Sequence, residues 1–560
     1  MSEQADVIVV GAGLAGLVAT YELTRAGRKV LVVEQENAAN LGAQAFWSLG
    51  GLFLVNSPEQ RRLGIKDSLE LAMQDWMGTA GFDREREDHW PRRWAKAYVE
   101  FAAGDKRQYL HDLGLRLMPN VGWAERGRGM ALGHGNSVPR FHLTWGTGPG
   151  VVDVFLTKVI AAQKRGLVTF KHRHQVDQLV VTDGAVTGVR GTVLEPSSDL
   201  RGVKSSRTPI GEFEFAAQAV VVTSGGIGGN YELVKKNWPE RLGKAPKHML
   251  TGVPAHVDGR MLEITESAGG NIVNRDRMWH YTEGIQNWNP IWPNHGIRII
   301  PGPSSMWFDA TGKRLPVPNF PGFDTMGTFK YILDSGHEYT WFILDQKIIE
   351  KEFALSGSEQ NPDFTNRDFK LLLERIKKGA PGPVEAFKQK GADFVVRNNL
   401  RDLVDGMNAL TDEPLLDYED IEREMIARDR EVDNKYSKDF QVTAIHGARN
   451  LLADKIVRVV APHKILDPKN GPLIAVRLHL LTRKTLGGLE TNLDSQVIKP
   501  TAVSSTACTR PVRSRASAAA ESTVTARSKG PSSVAASSPA AQPDEHWRAT
   551  CSPEIRRANA

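Results

Sequence analysis

The chain has 560 residues, 41% hydrophobic and 24% charged, with two cysteines and a net charge of +6. This length predicts two or more domains, the composition is that of a globular protein, and no run of 18 apolar residues offers a membrane span. Four of the six excess positive charges fall in residues 501–560, which hold eight Lys/Arg and four Asp/Glu, and no basic block interleaved with aromatics occurs, so no nucleic-acid partner is expected. Cys508 and Cys551 are too few for a disulfide framework or a cysteine metal site, so no metal is expected. With no basic leader before the first apolar stretch, a reduced, cytoplasmic setting is expected.

In chain order, Asp6-Val7-Ile8-Val9-Val10 reads as a buried strand and is followed at once by Gly11-Ala12-Gly13-Leu14-Ala15-Gly16. Residues 17–26 read as a helix and 29–33 as a second strand, ending at Glu34. The unit has a physical job. Gly11 allows a tight turn, Gly13 lets backbone approach a pyrophosphate, and Gly16 lets helix and strand pack closely. The helix N-terminus faces the phosphates, and Glu34 can accept from a ribose hydroxyl. The expectation is an adenine-dinucleotide site.

Residues 40–60 are rich in small side chains, and 65–81 and 90–113 carry helical periodicity. Residues 120–150 read as a long Gly-rich loop, and 151–164 as a helix. Residues 168–171, 179–182 and 186–190 read as short strands of a meander with Asp183-Gly184 as a turn. Residues 213–222 form a further strand that ends in Thr223-Ser224-Gly225-Gly226, and a helix follows Asp258-Gly259-Arg260. From about 270 to 440 the chain is rich in Trp, Pro and charge, with helices at 369–378 and 418–430. Residues 471–499 read as strands returning to the first domain. The expected fold class is α/β: a Rossmann-like domain over 1–265 and 440–500, an inserted α+β cap over 266–439, and a disordered tail over 501–560. There is no internal repeat.

These pieces resemble the FAD-dependent fumarate reductase / 3-ketosteroid Δ1-dehydrogenase flavoproteins, most closely their bacterial "FAD-binding dehydrogenase" branch, over residues 5–500. Four ordered segments carry the resemblance. They are GAGLAG with Glu34, the stretch Gln44-Ala45-Phe46-Trp47-Ser48-Leu49-Gly50-Gly51, the strand and turn Ala219-Val220-Val221-Val222-Thr223-Ser224-Gly225-Gly226, and Thr485-Leu486-Gly487-Gly488. The resemblance implies FAD as cofactor. It places Gly11, Ala12, Gly13, Leu14, Ala15, Gly16, Glu34, Gln35, Ala43, Ser48, Gly50, Gly51, Val176, Ser224, Gly225 and Asp258 around it.

It also implies hydride transfer between flavin N5 and a CH–CH bond beside a carbonyl, with the protein supplying orientation and a proton donor or acceptor. The segment GHGNSVPRFHLTWGTGPG offers His134, Asn136, Arg140 and His142, of which Arg140 and His142 are similar in placement to the RxHRPxGG segment of fumarate reductases. Fumarate reductases carry His where Lys484 stands here, and Gly312-Lys313-Arg314-Leu315 is followed by no arginine through Thr325. A steroid-like or cyclic ketone is therefore favoured over fumarate, with an electron acceptor left unidentified. Aromatics between Trp279 and Trp341 suit a flat apolar substrate, and Tyr281, Tyr331 and Tyr339 are acid/base candidates. The catalytic set is thus His142, Arg140, Tyr331 and Lys484. A fumarate/succinate-type reductase, an impaired flavoprotein and a pyridine-nucleotide enzyme are the competing readings.

Residues 501–560 contain no Leu, Phe or Tyr and cannot bury enough apolar surface to fold. The family ending, PGLYAAGEVAG…GGGG, is missing there. Yet with synonymous codons freely chosen, a one-base shift lets 501–542 read as an uninterrupted family ending of about forty residues. A frameshift at Pro500-Thr501 is therefore expected, leaving the flavin less covered and less tightly bound.

Overall fold

The computed structural model describes residues 5–123, 133, 135–375 and 379–500. The expected tail at 501–560, the frameshift with it, and His134 all lie outside the described residues.

Ala5–Val10 is a strand because four consecutive aliphatic residues, Val7 to Val10, are all buried. It pairs in parallel with Val30–Glu34 on one side and with the end of Pro209–Val222 on the other, so that Ile8 lies beside both Leu31 and Val220. Val168–His172 extends the parallel set, with His172 opposite Glu34. Pro209–Val222 is long enough to serve two partners. Its first half pairs antiparallel with Ala185–Leu194, which pairs in turn with His174–Thr182, completing a six-stranded sheet.

The meander reading of 168–171 is corrected here. The chain breaks at Arg173, in the left-handed region at φ 60°, and its guanidinium donates to the carbonyls of Gln35, Glu195 and Ser206. That break frees Val168–His172 to join the parallel strands. The helices Leu14–Arg25 and Thr147–Lys164 pack together on one face, through Leu14, Leu17 and Val18 against Val151, Val152, Phe155 and Val159.

The stretch 120–150 is not all loop. Phe141–Thr144 is the middle strand of a small sheet, between Gly51–Phe53 and Leu117–Gly122. Four residues are too few to show a period of two.

A second sheet has eight strands, and Leu473–Thr485 is its centre. That strand pairs antiparallel with Tyr339–Asp345, Met278–Gln286 and Phe394–Arg397 and in parallel with Leu250–Thr251. The sequence reading has 471–499 as strands returning to the first domain; Leu473–Thr485 lies in the second sheet, and Gly488–Leu489 pairs with Ile272–Val273. A strand buried on both faces carries no mark of which sheet it enters. Phe369–Glu374 and Tyr418–Val432 are helical where expected. Among the described residues no helix is long and apolar enough to cross a membrane.

One glycine turn locks the two sheets together, and a helical glycine closes the fingerprint on itself. A Cβ on Gly226 would lie 2.3 Å from Thr485 Oγ1, which accepts the Ile227 N–H at 2.9 Å. In the fingerprint, a Cβ on Gly16 would lie 2.0 Å from the Gly11 carbonyl oxygen. Gly16→Ala should therefore destabilise the protein by about 1–3 kcal/mol and lower its FAD content; an unchanged melting temperature with full flavin loading would contradict this packing.

Candidate active site

A cleft opens between the sheets. One end is built by the fingerprint. Gly13 is extended, with no side-chain cap on the helix Leu14–Arg25 and no acid in its first turn, so the helix N-terminus presents backbone donors where Leu14 and Ala15 line the cleft. The Glu34 carboxylate accepts from the N–H of Ala12 at 2.7 Å and of Glu36 at 2.9 Å, and burial pushes its pKa up. Glu34 thus holds the glycine turn in shape while also lining the cleft. Gly225, at φ 86°, has open space where a Cβ would stand.

Of the sixteen expected cofactor residues, fourteen line this cleft. Ala12 and Gly16 do not: the first tethers Glu34 and the second makes room for the Gly11 carbonyl. His174 and His256 join the wall unforeseen. Burial lowers His256 to about 4, so it is neutral, and its Nε2 is buried with no hydrogen-bond partner among the described residues. A polar ligand atom there would satisfy it. Glycine cradle, uncapped helix, acid and orphaned imidazole fit a dinucleotide.

The other end is lined by Ser48, Gly50, Gly51, Phe141, Tyr281, Arg298, Ile300, Ser356, Arg483 and Lys484. Register shifts in Met278–Gln286 on both sides of Tyr281 mark bulges, which re-aim side chains, and Tyr281 lines the cleft. The Arg298 guanidinium carbon lies 3.8 Å from the Tyr281 ring centroid and Lys484 Nζ 5.6 Å from it. Arg298 Nε is 3.3 Å from Glu283 Oε2, and Arg483 donates to the Gly252 carbonyl. Burial pushes Glu359 up to about 7, against the pull of Arg483. The sequence pointed to Lys484 and named Tyr281; Arg298 and Arg483 carried no signal.

The FAD binding domain family matches residues 6–505. The chain belongs to that family. It is 65% identical over 495 residues to a KsdD-like steroid dehydrogenase of Mycolicibacterium smegmatis, covering 88% of this chain and 90% of that one. A KsdD-like steroid dehydrogenase of Mycobacterium tuberculosis is 66% identical over 496 residues, covering 88% and 87%. In fold, the chain is similar to the 3-ketosteroid delta1-dehydrogenase of Sterolibacterium denitrificans, with a TM-score of 0.62 at 16% identity, covering 89% of this chain and 91% of that one. The cofactor is FAD, and this member of the family is an FAD-dependent oxidoreductase of the dehydrogenase type.

Three expected catalytic residues stand elsewhere. On Phe141–Thr144 the faces alternate: Phe141 lines the flavin cleft, and His142 points the other way, fully buried. His142 Nδ1 donates to the Arg140 carbonyl at 2.9 Å, so Nε2 accepts from Ser57 Oγ at 2.7 Å. Arg140 is also fully buried, with Nη2 at 2.7 Å from Asp67 and Nη1 at 2.6 Å from Asp75 and 3.1 Å from Asn136. Tyr331 packs against the second sheet's core and donates to Asp309 at 3.2 Å. Trp279, Trp292, Trp307 and Trp341 are core residues, and Trp288 is partly exposed; none lines the cleft. Among the described residues no cluster of metal-binding side chains occurs.

Arg140→Met should strand two buried carboxylates and cost about 3–5 kcal/mol, measured by denaturant unfolding. A variant that kept its stability and lost only turnover would restore Arg140 to the chemistry. Burial depresses both His142 and His256 to about 4, below the ordinary value near 6.5, so the unfolded chain takes up protons first. The stabilisation is complete above about pH 6.5 and should be lost as pH falls toward about 4. A melting temperature flat across that window would count against neutral burial.

Proposed function

We propose that this flavoenzyme dehydrogenates a CH–CH bond beside the ketone of a steroid-like substrate, and that Tyr281 carries the proton. The observation that carries the reading is Tyr281, turned by two bulges into the end of the cleft away from the fingerprint. The steroid class is supported by the relatives at 65% and 66% identity. FAD, when bound, supplies hydride acceptance. Ser48, Gly50 and Gly51 would lie under its ring system, and Gly11, Gly13, Ser224 and Gly225 along its phosphates.

The chain's own work is then to orient and to move a proton. Tyr281, as its phenolate, takes the proton from the carbon next to the carbonyl and becomes the phenol, and in the reverse direction the phenol returns it. Phe141, Leu52 and Ile300 give that end apolar walls, which favour a flat ring system and keep water from the reacting carbons. The second sheet, with its helices, serves as the cap that bears Tyr281 and Ile300, while Leu52 and Phe141 come from the small three-stranded sheet. A cytoplasmic setting, with an electron acceptor still to be identified, completes the proposal.

Tyr281→Phe should lower kcat on a 3-ketosteroid by about 10²–10⁴-fold in a dye-coupled assay, with flavin absorbance per chain unchanged. Tyr331→Phe should leave kcat near wild type. A Tyr281→Phe enzyme with full turnover would assign the proton to another group.

A further inference from the structure

Large apolar side chains stand in solvent on two short helices. Phe369–Glu374 buries none of its residues: Phe369 is 67% exposed and Leu373 59%, with Leu371 beside them. On Leu452–Val457, Leu452 is 64% exposed and Ile456 61%, with Val457 next to them. The first helix is anchored at both ends. Asp368 caps it by accepting the Lys370 N–H at 2.8 Å, and Arg375 donates to Asp363 at 2.8 Å.

Both helices belong to one surface. The Trp145 ring lies 5.0 Å from that of Phe369, and the Trp145 backbone N–H donates to the Arg116 carbonyl at 2.8 Å. Arg116 leads into Leu117–Gly122, against which the second helix lies. At the far ends, burial holds Arg458, the residue after Val457, below its ordinary pKa, and the charge of Arg375 adds to that, so these ends are neighbours too. A contiguous apolar patch of this kind marks a surface that meets a partner.

Positive charge rims the patch. Residues 363–378 and 449–458 together hold eight Lys/Arg against four Asp/Glu, whereas the first 500 residues as a whole carry an excess of only two. Arg116, Lys370 and Lys455 are exposed. A two-fold contact with a second copy would set this excess against itself. Apolar side chains among exposed cations match a partner that is apolar within and anionic at its surface.

We propose that this face docks on the anionic surface of a lipid bilayer. Phe369, Leu373, Leu452 and Ile456 enter the boundary of the acyl chains, and Arg116, Lys370 and Lys455 meet the headgroups. The face lies one strand away from the cleft, since Leu117–Gly122 pairs with Phe141–Thr144 and Phe141 lines the cleft.

The test floats the full chain, loaded with FAD, with vesicles of phosphatidylcholine alone and of phosphatidylcholine mixed equally with phosphatidylglycerol. The protein should bind the mixed vesicles at least roughly tenfold more tightly than the neutral ones. It should leave them as salt rises from about 0.1 M to about 1 M. Leu373→Ser with Ile456→Ser, and separately Lys370→Glu with Lys455→Glu, should each remove roughly tenfold of the affinity. These side chains are exposed, so melting temperature and flavin content should not change. Ile210→Ser, at an exposed isoleucine of the first sheet, should bind as wild type.

A chain that does not float with the mixed vesicles, that binds neutral vesicles equally well, or whose paired variants float as wild type would overturn the docking face. So would a dimer in sedimentation velocity that the paired serine variant alone dissociates, which would give the face to a second copy.

Discussion

Thr485 is the pin on which the two sheets turn. Its hydroxyl accepts the Ile227 N–H at 2.9 Å, and its side chain fills the space a Cβ on Gly226 would need. Gly226 follows the end of the strand that pairs with Ala5–Val10, and Thr485 ends the central strand of the second sheet. The contact brings the carboxyl edge of the first sheet against the basic end of Leu473–Thr485. The cleft between them exists because these two chain segments, some 260 residues apart, close with no side chain between them at Gly226.

That closure gives the cleft an electrical direction. Its fingerprint end has backbone donors, two carboxyls, the Arg260 guanidinium and the neutral His256; its far end has two guanidiniums, an ammonium and a phenol. The uncapped helix N-terminus at the fingerprint end fits the phosphates of a dinucleotide. Behind the flavin wall, Arg140 bridges Asp67 and Asp75, and His142 holds Ser57 at the cap of Pro58–Arg62. These buried polar groups are satisfied by one another, which fits a supporting role.

Phe141 and His142 show why half of the site was legible and half was not. The segment that contains both stood out by composition, and it does touch the cleft. Which residue touches it depends on the face of one short strand, and a shift of one residue exchanges the faces. Tyr281 was one tyrosine among several until bulges set its direction. Arg298 had no motif at all, since a strand arginine that pairs with a glutamate is common.

By itself the sequence determined the dinucleotide end. A glycine fingerprint works through local backbone geometry, so strand, turn, helix and acid can be read from contiguous residues, and fourteen of the sixteen residues expected at the cofactor line the cleft. Tertiary structure alone decided the chemistry end. It took Leu473–Thr485 into the second sheet, set Arg140 and His142 behind the wall, and gathered Tyr281, Arg298, Arg483 and Lys484 from three strands. Their meeting depends on strand register and on bulges, which are settled by long-range pairing and packing and leave no mark in the neighbouring sequence.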